Sequence, residues 1–265
     1  MTSPLLAALA VLMAWWLSTG LILWRVRVAD NIGPSAHMQS VIFGLPLAAL
    51  GVWGAIASRD SATAAQIYLG FGAALCLWAW IELAFLSGVI TGPNRSPCPK
   101  GLPTRARLAR AITAIAWHEA ALLAGMLLLI ALQWGAANPM AGATFALLLI
   151  ARSLAKINLF LGVPRINLQF IPSPITHLVS HFRMGPATMF FFISIGLLAT
   201  MILGGIAYLI FSQASIEQEL GLTLLGVLAA LALLEHFFMI LPLPDAKLWT
   251  WMLPKPKHTI KTLKD

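Results

Sequence analysis

Seven long apolar stretches constrain the fold of this 265-residue chain more than any other feature of its sequence. Each is long enough to cross a hydrocarbon core of roughly 30 Å, which takes about 20 helical residues. The stretches lack the strict alternation of barrel strands, and backbone groups in lipid must be satisfied within each segment, so helices are predicted. The predicted spans cover residues 4 to 24, 38 to 57, 64 to 90, 109 to 133, 141 to 161, 187 to 212 and 220 to 241.

The composition agrees with an all-α polytopic membrane protein. Hydrophobic residues make up 60% of the chain and charged residues 10%, and the mean hydropathy is +0.87. A soluble domain carries more charge, about a quarter of its residues, so the class of ordinary soluble proteins is excluded. We predict a single seven-helix transmembrane domain over residues 1 to 253 and a flexible basic tail over residues 254 to 265.

The basic residues indicate the orientation of the bundle. Of the 17 Lys and Arg residues, Arg152 and Lys156 lie inside a span, Arg59 lies on one side, and the other 14 lie on the opposite side. The positive-inside rule places the basic side in the cytoplasm, with the N-terminus outside and the C-terminus inside. This topology and attraction to anionic lipid head groups account for the net charge of +8, so no nucleic-acid partner is predicted.

A short amphipathic segment precedes the sixth span. Apolar residues recur at helical spacing in residues 174 to 184, while three polar residues fall nearer another face: His177, His181 and Arg183. This pattern predicts a short helix that lies in the membrane interface and does not cross the bilayer.

Five charged side chains lie inside the predicted spans. On insertion scales, each unpaired charge at the centre of a span costs about 2.5 to 3.5 kcal/mol, so these groups need partners. The third, fourth, fifth and seventh spans place their ionisable residues at a common depth, roughly 9 to 15 Å below the cytoplasmic surface at about 1.5 Å per residue. We predict a buried polar network that also includes one amide: Glu82, Glu119, Arg152, Lys156, Asn158 and Glu235.

The residues alone leave the role of this network open. Three carboxylates face two cations, and the remaining negative charge could be cancelled by a protonated His118 or His236, or by a divalent metal. The network either locks four helices in register or binds a tetrapyrrole, a metal or a proton, with a transport pathway as a further alternative. A metal would use carboxylate and imidazole ligands, although their spacing matches no known motif. The candidate ligands are Glu82, His118, Glu119, Glu235 and His236.

Five longer motifs carry a resemblance to a known family. They are "WWLSTG" (15 to 20), "WIELAFLSGVITGP" (80 to 93), "ARSLAKINLFLGVPRIN" (151 to 167), "HLVSHFR" (177 to 183) and "LLEHFFMILPLPDAKLW" (233 to 249). Together they resemble the PuhE family, photosynthetic complex assembly proteins of phototrophic bacteria that are encoded near the reaction-centre H subunit. The resemblance covers nearly the whole chain apart from the lysine-rich end.

The resemblance implies a multi-pass protein of the inner membrane or of the intracytoplasmic photosynthetic membrane. It implies support for assembly of the reaction centre and light-harvesting complex, by way of bacteriochlorophyll supply or contacts with their subunits or other assembly factors. No catalytic residues are carried over from the family. A pigment would be bound through His118 or His236 as a neutral imidazole ligand, although the adjacent glutamates favour the protonated form. The alternative is a membrane-embedded, metal-dependent enzyme acting on a tetrapyrrole or an isoprenoid.

Overall fold

The computed structural model describes residues 3 to 244 and 247 to 250. The described residues form helices and loops without a β-strand. Seven helical segments are long and apolar enough to cross a membrane when α2 and α3, which are separated only by Gly44, are counted as one span (Pro34–Ala57), and this confirms the all-α, seven-span prediction. The tail predicted over residues 254 to 265 lies outside the described residues. The α-helices are α1 (Pro4–Ile32), α2 (Pro34–Phe43), α3 (Leu45–Ala57), α4 (Ala64–Leu86), α5 (Thr104–Leu132), α6 (Met140–Leu161), α7 (Met189–Phe211), α8 (Ile216–Phe238) and α9 (Lys247–Thr250).

Several helices are longer than the apolar stretches that predicted them. The first ends at Ile32 instead of residue 24, and α5 begins at Thr104 instead of residue 109. The difference arises because hydropathy marks where a span leaves the hydrocarbon, whereas helical hydrogen bonds continue into the interface. In the part of α1 that extends past residue 24, Arg27 forms an ion pair of 3.1 Å with Asp30.

The short segment before α7 forms, but as a 3₁₀-helix over Ser173–His181 and not as an α-helix. A 3₁₀-helix has three residues per turn, so Ile175, Leu178 and His181 lie on one face, and all three are buried. The prediction that His181 lies on a polar face with His177 and Arg183 was therefore wrong for His181. Of the other two, Arg183 is exposed and His177 is half-buried.

Helix α4 is the centre of the bundle and packs against α1, α2, α3, α5, α6 and α8. Its closest neighbour is α3, because Gly51 lets the two backbones approach. A Cβ atom at Gly51 would lie 2.8 Å from the Cβ of Leu77. Small residues allow such close contacts between helices in a membrane, where dispersion forces replace the hydrophobic effect between helices.

One end of the bundle carries Arg27 near the end of α1, Arg107 near the start of α5 and Arg165 in the connection after α6, and we call this the basic end. There the segment between α6 and α7 crosses the bundle and is tied to α1. Asp30 of α1 accepts a hydrogen bond from the backbone N–H of Ser173 at 3.1 Å, and Arg27 donates to the carbonyl of Gln169. This connection, residues 162 to 188, therefore closes the basic end of the bundle, and we call it the floor.

Candidate functional site

A cavity of about 910 Å³ lies between α1, α4, α5, α6 and α8 and extends to the floor at the basic end. Small-molecule and cofactor sites have volumes of about 300 to 1,000 Å³, so this cavity is at the upper part of that range. It is large enough for a ligand the size of a pigment or an isoprenoid.

Most of the cavity wall is apolar, and aromatic rings contribute to it from the helices and from the floor. Flat rings of this kind provide large contact areas for a ligand. The aromatic lining residues are Trp15, Phe71, Trp78, Phe85, Phe160, Phe170, Phe182, Phe238 and Trp249.

Two ion pairs connect three helices beside the cavity. Arg152 of α6 donates to Glu82 of α4, with 3.0 Å between Nη2 and Oε2. One turn further along α6, Lys156 donates to Glu119 of α5, with 2.6 Å between Nζ and Oε1. The i, i+4 spacing of the two cations places both on one stripe of α6, and each cation reaches a different neighbouring helix.

Glu235 does not belong to these ion pairs. Its carboxylate lines the cavity and accepts a hydrogen bond of 2.7 Å from the indole N–H of Trp15 on α1. Within the described part of the chain, no cation lies within 4.0 Å of it. The sequence prediction that joined Glu235 to the cationic pair therefore differs from the structure, in which Glu235 connects α8 to α1.

The adjacent His236 points in another direction because successive residues of an α-helix are about 100° apart. Its Nδ1 donates to the carbonyl of Ala232 at 2.8 Å, and its ring lies 6.5 Å from that of Phe191 on α7. The other nitrogen, Nε2, is buried and has no hydrogen-bond partner among the described residues. His236 contributes to the cavity wall, but Nε2 has no open surface through which a ligand could reach it.

His118 is less accessible from the cavity than His236. It is fully buried, it is stacked on Phe85 with 4.1 Å between the ring centroids, and it is not among the residues that line the cavity. Its Nε2 lies 3.7 Å from Oε1 of Glu82. Neither predicted pigment ligand, His118 or His236, therefore presents a free nitrogen to the cavity in this conformation.

The five candidate metal ligands are also distributed over several places. Glu82 and His118 are neighbours, while Glu119 binds Lys156 and Glu235 binds Trp15. Among the described residues, no group of three or more His, Cys, Asp or Glu side chains is close enough to hold a metal ion. The proposed ligands do not converge on one point.

Asn158 lies apart from the other members of the predicted network. Its side-chain amide donates to the hydroxyl of Ser194 on α7 at 3.0 Å, and both residues are fully buried. Asn158 is absent from the cavity wall. It therefore links α6 to α7 away from the ion pairs.

Sequence reasoning missed the docking of the chain's C-terminal segment on α1. The position of Trp249 just past the last predicted span favours a place in an aromatic belt at the membrane interface, but Trp249 is buried and lines the cavity. Its indole N–H donates to the carbonyl of Trp16 at 3.2 Å, and Trp16 donates to the carbonyl of Leu248 at 2.9 Å. Its ring also contacts Trp15 edge to face, with 5.2 Å between centroids.

The only signal in the sequence for this docking was the presence of tryptophans near both ends of the chain. The same sequence position favours an aromatic belt for Trp251, which lies outside the described residues.

The two histidines of the floor have depressed pKa values. Burial lowers the pKa of His177, and the nearby Arg95 acts in the same direction. Burial also lowers the pKa of His181, against the opposing effect of a hydrogen bond with the backbone of His177, while the charge of Arg110 lowers it further. The neutral form of each imidazole is therefore favoured in the folded protein.

We expect this preference to make stability depend on pH. The His181 imidazole has a pKa of 6.5 without these effects and a lower pKa when folded, so below pH 6.5 unfolding takes up a proton. Stability should fall as the pH drops from 6.5 through the folded pKa. In His181→Leu, the difference in unfolding temperature between pH 7.5 and pH 5.5 should be smaller than in wild type. An unchanged difference would contradict this prediction.

Comparison with known proteins gives two matches. A family model described as "Protein of unknown function (DUF3623)" matches residues 1 to 260. A protein of Rhodobacter capsulatus, described as "Uncharacterized 30.4 kDa protein in puhA 5'region", is 45% identical over 266 residues, which cover 99% of this chain and 96% of the relative. No solved structure matches the chain.

Proposed function

This chain belongs to the family described as protein of unknown function (DUF3623). We propose a function for it from two observations, namely the genetic location of its Rhodobacter capsulatus relative and the cavity described above. The proposed function is support for assembly of the photosynthetic reaction centre and light-harvesting complex in the inner membrane. The protein would act by holding a pigment of the bacteriochlorophyll class as cargo in the cavity and delivering it to client subunits or other assembly factors.

The genetic context supports the photosynthetic part of this proposal. The Rhodobacter capsulatus relative is named for its place in the puhA 5′ region, and the motifs of the present chain resemble the PuhE family. All five of those motifs contain residues that line the cavity, and Arg152 and Glu235 are among them. We therefore assign the cavity to the function that the family resemblance implies.

The cavity is the single observation that carries the binding part of the proposal. A volume of about 910 Å³, aromatic walls and a few charged groups fit a large, flat and mainly apolar molecule. Among the described residues Arg152 makes one hydrogen bond, to Glu82, so the other donors of its guanidinium fit the polar periphery of a chlorin. The pigment would be held chiefly by burial of its ring against the aromatic side chains, and it is cargo and not a catalytic group.

The positive-inside rule predicts that the floor faces the cytoplasm. Contacts with assembly partners are then expected at the floor and at the basic connections, or within the bilayer. The alternative of a metal-dependent enzyme has no observation in its favour, because the described residues contain no group of three candidate ligands.

Filling the cavity tests the proposal. Ala155 lines the cavity on α6, so Ala155→Trp should place an indole where the ligand would lie and lower pigment affinity at least about tenfold, a loss of about 1.4 kcal/mol. The matched control is Ala207→Trp on α7, because Ala207 is exposed and lies outside the cavity wall. The measurement is pigment per protein after gentle purification from the native membrane, together with the yield of reaction centre.

Ala155→Trp is expected to accumulate like wild type but to carry less pigment and to give less reaction centre. The Ala207→Trp variant should match wild type in all three measurements. Equal pigment content in the two tryptophan variants, or a wild-type protein that takes up no pigment even when it is added, would contradict the proposed function.

A further inference from the structure

Arg152 has more hydrogen-bond donors than the protein uses. A guanidinium carries five N–H donors and has no neutral form in proteins. Within the part of the chain that the structure describes, Arg152 makes one hydrogen bond, from Nη2 to Glu82. Its Nε is buried without a partner among the described residues and, like Nε2 of His236, is closed to a ligand. Its Nη1 is not buried, and 37% of the side chain of this cavity-lining residue is exposed. A ligand that fills the cavity would take the open Nη1 donors out of water, which is costly unless the ligand itself supplies an acceptor.

On the basis of the function proposed above, we propose that Arg152 donates hydrogen bonds to a neutral carbonyl oxygen of the cavity ligand. The ligand class is an apolar ester or ketone with a large ring or chain, and a free carboxylic acid is disfavoured. Arg152 is then the residue that selects the ligand by its polar group, while the aromatic walls bind its apolar part.

The geometry around Arg152 prepares it for this role. The ion pair with Glu82 holds one edge of the guanidinium, so little freedom is lost when a ligand binds the rest. The neighbouring cation, Lys156, is less suited, because only 18% of its side chain is exposed and its ammonium is held by Glu119 at 2.6 Å. Arg152 is therefore the cation that the ligand can reach.

The charges of the surrounding groups distinguish a neutral carbonyl from a carboxylate. Arg152 is already paired with Glu82, and Glu235 also lines the cavity without a described cation within 4.0 Å. Charges in this apolar setting interact strongly because screening by water is weak. A ligand carboxylate would add a negative charge beside two existing carboxylates, whereas a carbonyl would satisfy the donors without adding charge.

Two lipid-soluble sources share this chemistry, namely an esterified tetrapyrrole and an isoprenoid quinone. The test therefore uses four probes with the purified full-length protein in detergent: bacteriochlorophyll a, the free acid bacteriochlorophyllide a, the methyl ester of that acid, and ubiquinone-10. The variants are Arg152→Met and, as a matched control, Arg105→Met. Arg105 is exposed at the start of α5 and is not part of the cavity wall.

Wild type should bind the methyl ester of bacteriochlorophyllide a at least about tenfold more tightly than the free acid, because these two probes differ in charge and hardly in apolar area. Arg152→Met should weaken binding of the ester about tenfold or more, the effect of losing hydrogen bonds from a charged donor. Resonance Raman spectra should show the ligand carbonyl band shifted to lower frequency in wild type and returned to the free value in the variant. The Arg105→Met control should leave affinity and band unchanged.

If Arg152→Met fails to fold because Glu82 loses its partner, the double variant Glu82→Leu/Arg152→Met removes both charges and provides the same two measurements. Tighter binding of the free acid, or a carbonyl band that does not move when Arg152 is removed, would overturn the assignment of Arg152 while leaving pigment binding intact. If the quinone alone binds and depends on Arg152, the assignment stands and the pigment function fails. If none of the probes binds, both fail.

Discussion

Replacing Glu82 with leucine is expected to lower the free energy of unfolding by about 3 to 5 kcal/mol. Glu82 is 7% exposed and pairs with Arg152 at 3.0 Å. Its removal leaves the guanidinium beside an apolar cavity without the carboxylate that compensates its charge. The measurement is thermal or denaturant unfolding of the purified variant in detergent, together with its accumulation in the membrane.

The double variant Glu82→Leu/Arg152→Met is the control for this prediction. Because both charges are removed together, it should recover most of the stability that the single variant loses. The coupling between the two positions is then measured by a double-mutant cycle. Additive losses, with the double variant less stable than either single variant, would show that the pair is not the source of the effect.

Replacing Gly92 with alanine is expected to destabilise the protein by about 3 kcal/mol or more, at the upper end of the effects of overpacking. A Cβ atom at this position would lie 2.7 Å from the carbonyl carbon of Ala114 and closer still to the carbonyl oxygen of Thr113. Both atoms belong to the backbone of α5, so no side-chain rotation relieves the clash. Unfolding temperature and accumulation are the measurements.

The close approach at Gly92 has a structural cause. The carbonyl of the preceding Thr91 accepts hydrogen bonds from the backbone N–H groups of Trp117 and His118, at 3.0 and 3.3 Å. The connection after α4 is thus bound directly to the backbone of α5 at the level of His118. Gly185→Ala is the matched control, because Gly185 is also in a loop and a Cβ there meets nothing within 4 Å. Equal stability of the two alanine variants would refute the prediction.

The two predictions concern the same region of the molecule. Gly92 brings the connection against α5, and Glu82 pairs α4 with α6 in front of the cavity. A loss of either contact should therefore also change the shape of the cavity. The pigment content of each variant must be compared per folded protein for this reason.

The sequence by itself determined the class of fold and the number of spans. Each span is a local property, because a helix in lipid satisfies its own backbone and needs only a sufficiently long apolar stretch. The helices that carry the ionisable residues could be identified in the same way, since depth follows from position along a helix. Helix ends that lie outside the hydrocarbon, as at Ile32 and Thr104, could not be predicted from the sequence, because hydropathy does not mark them.

Only the tertiary structure decided which of those residues meet. The pairing of Arg152 with Glu82, and of Glu235 with Trp15, depends on the rotation of each helix about its own axis and on which helices are neighbours. The 3₁₀ form of the floor moved His181 to the buried face, since the period changed from 3.6 to 3.0 residues. The cavity itself is the space left where five helices and the floor do not fill the interior, and that depends on side-chain shapes brought together from across the whole chain.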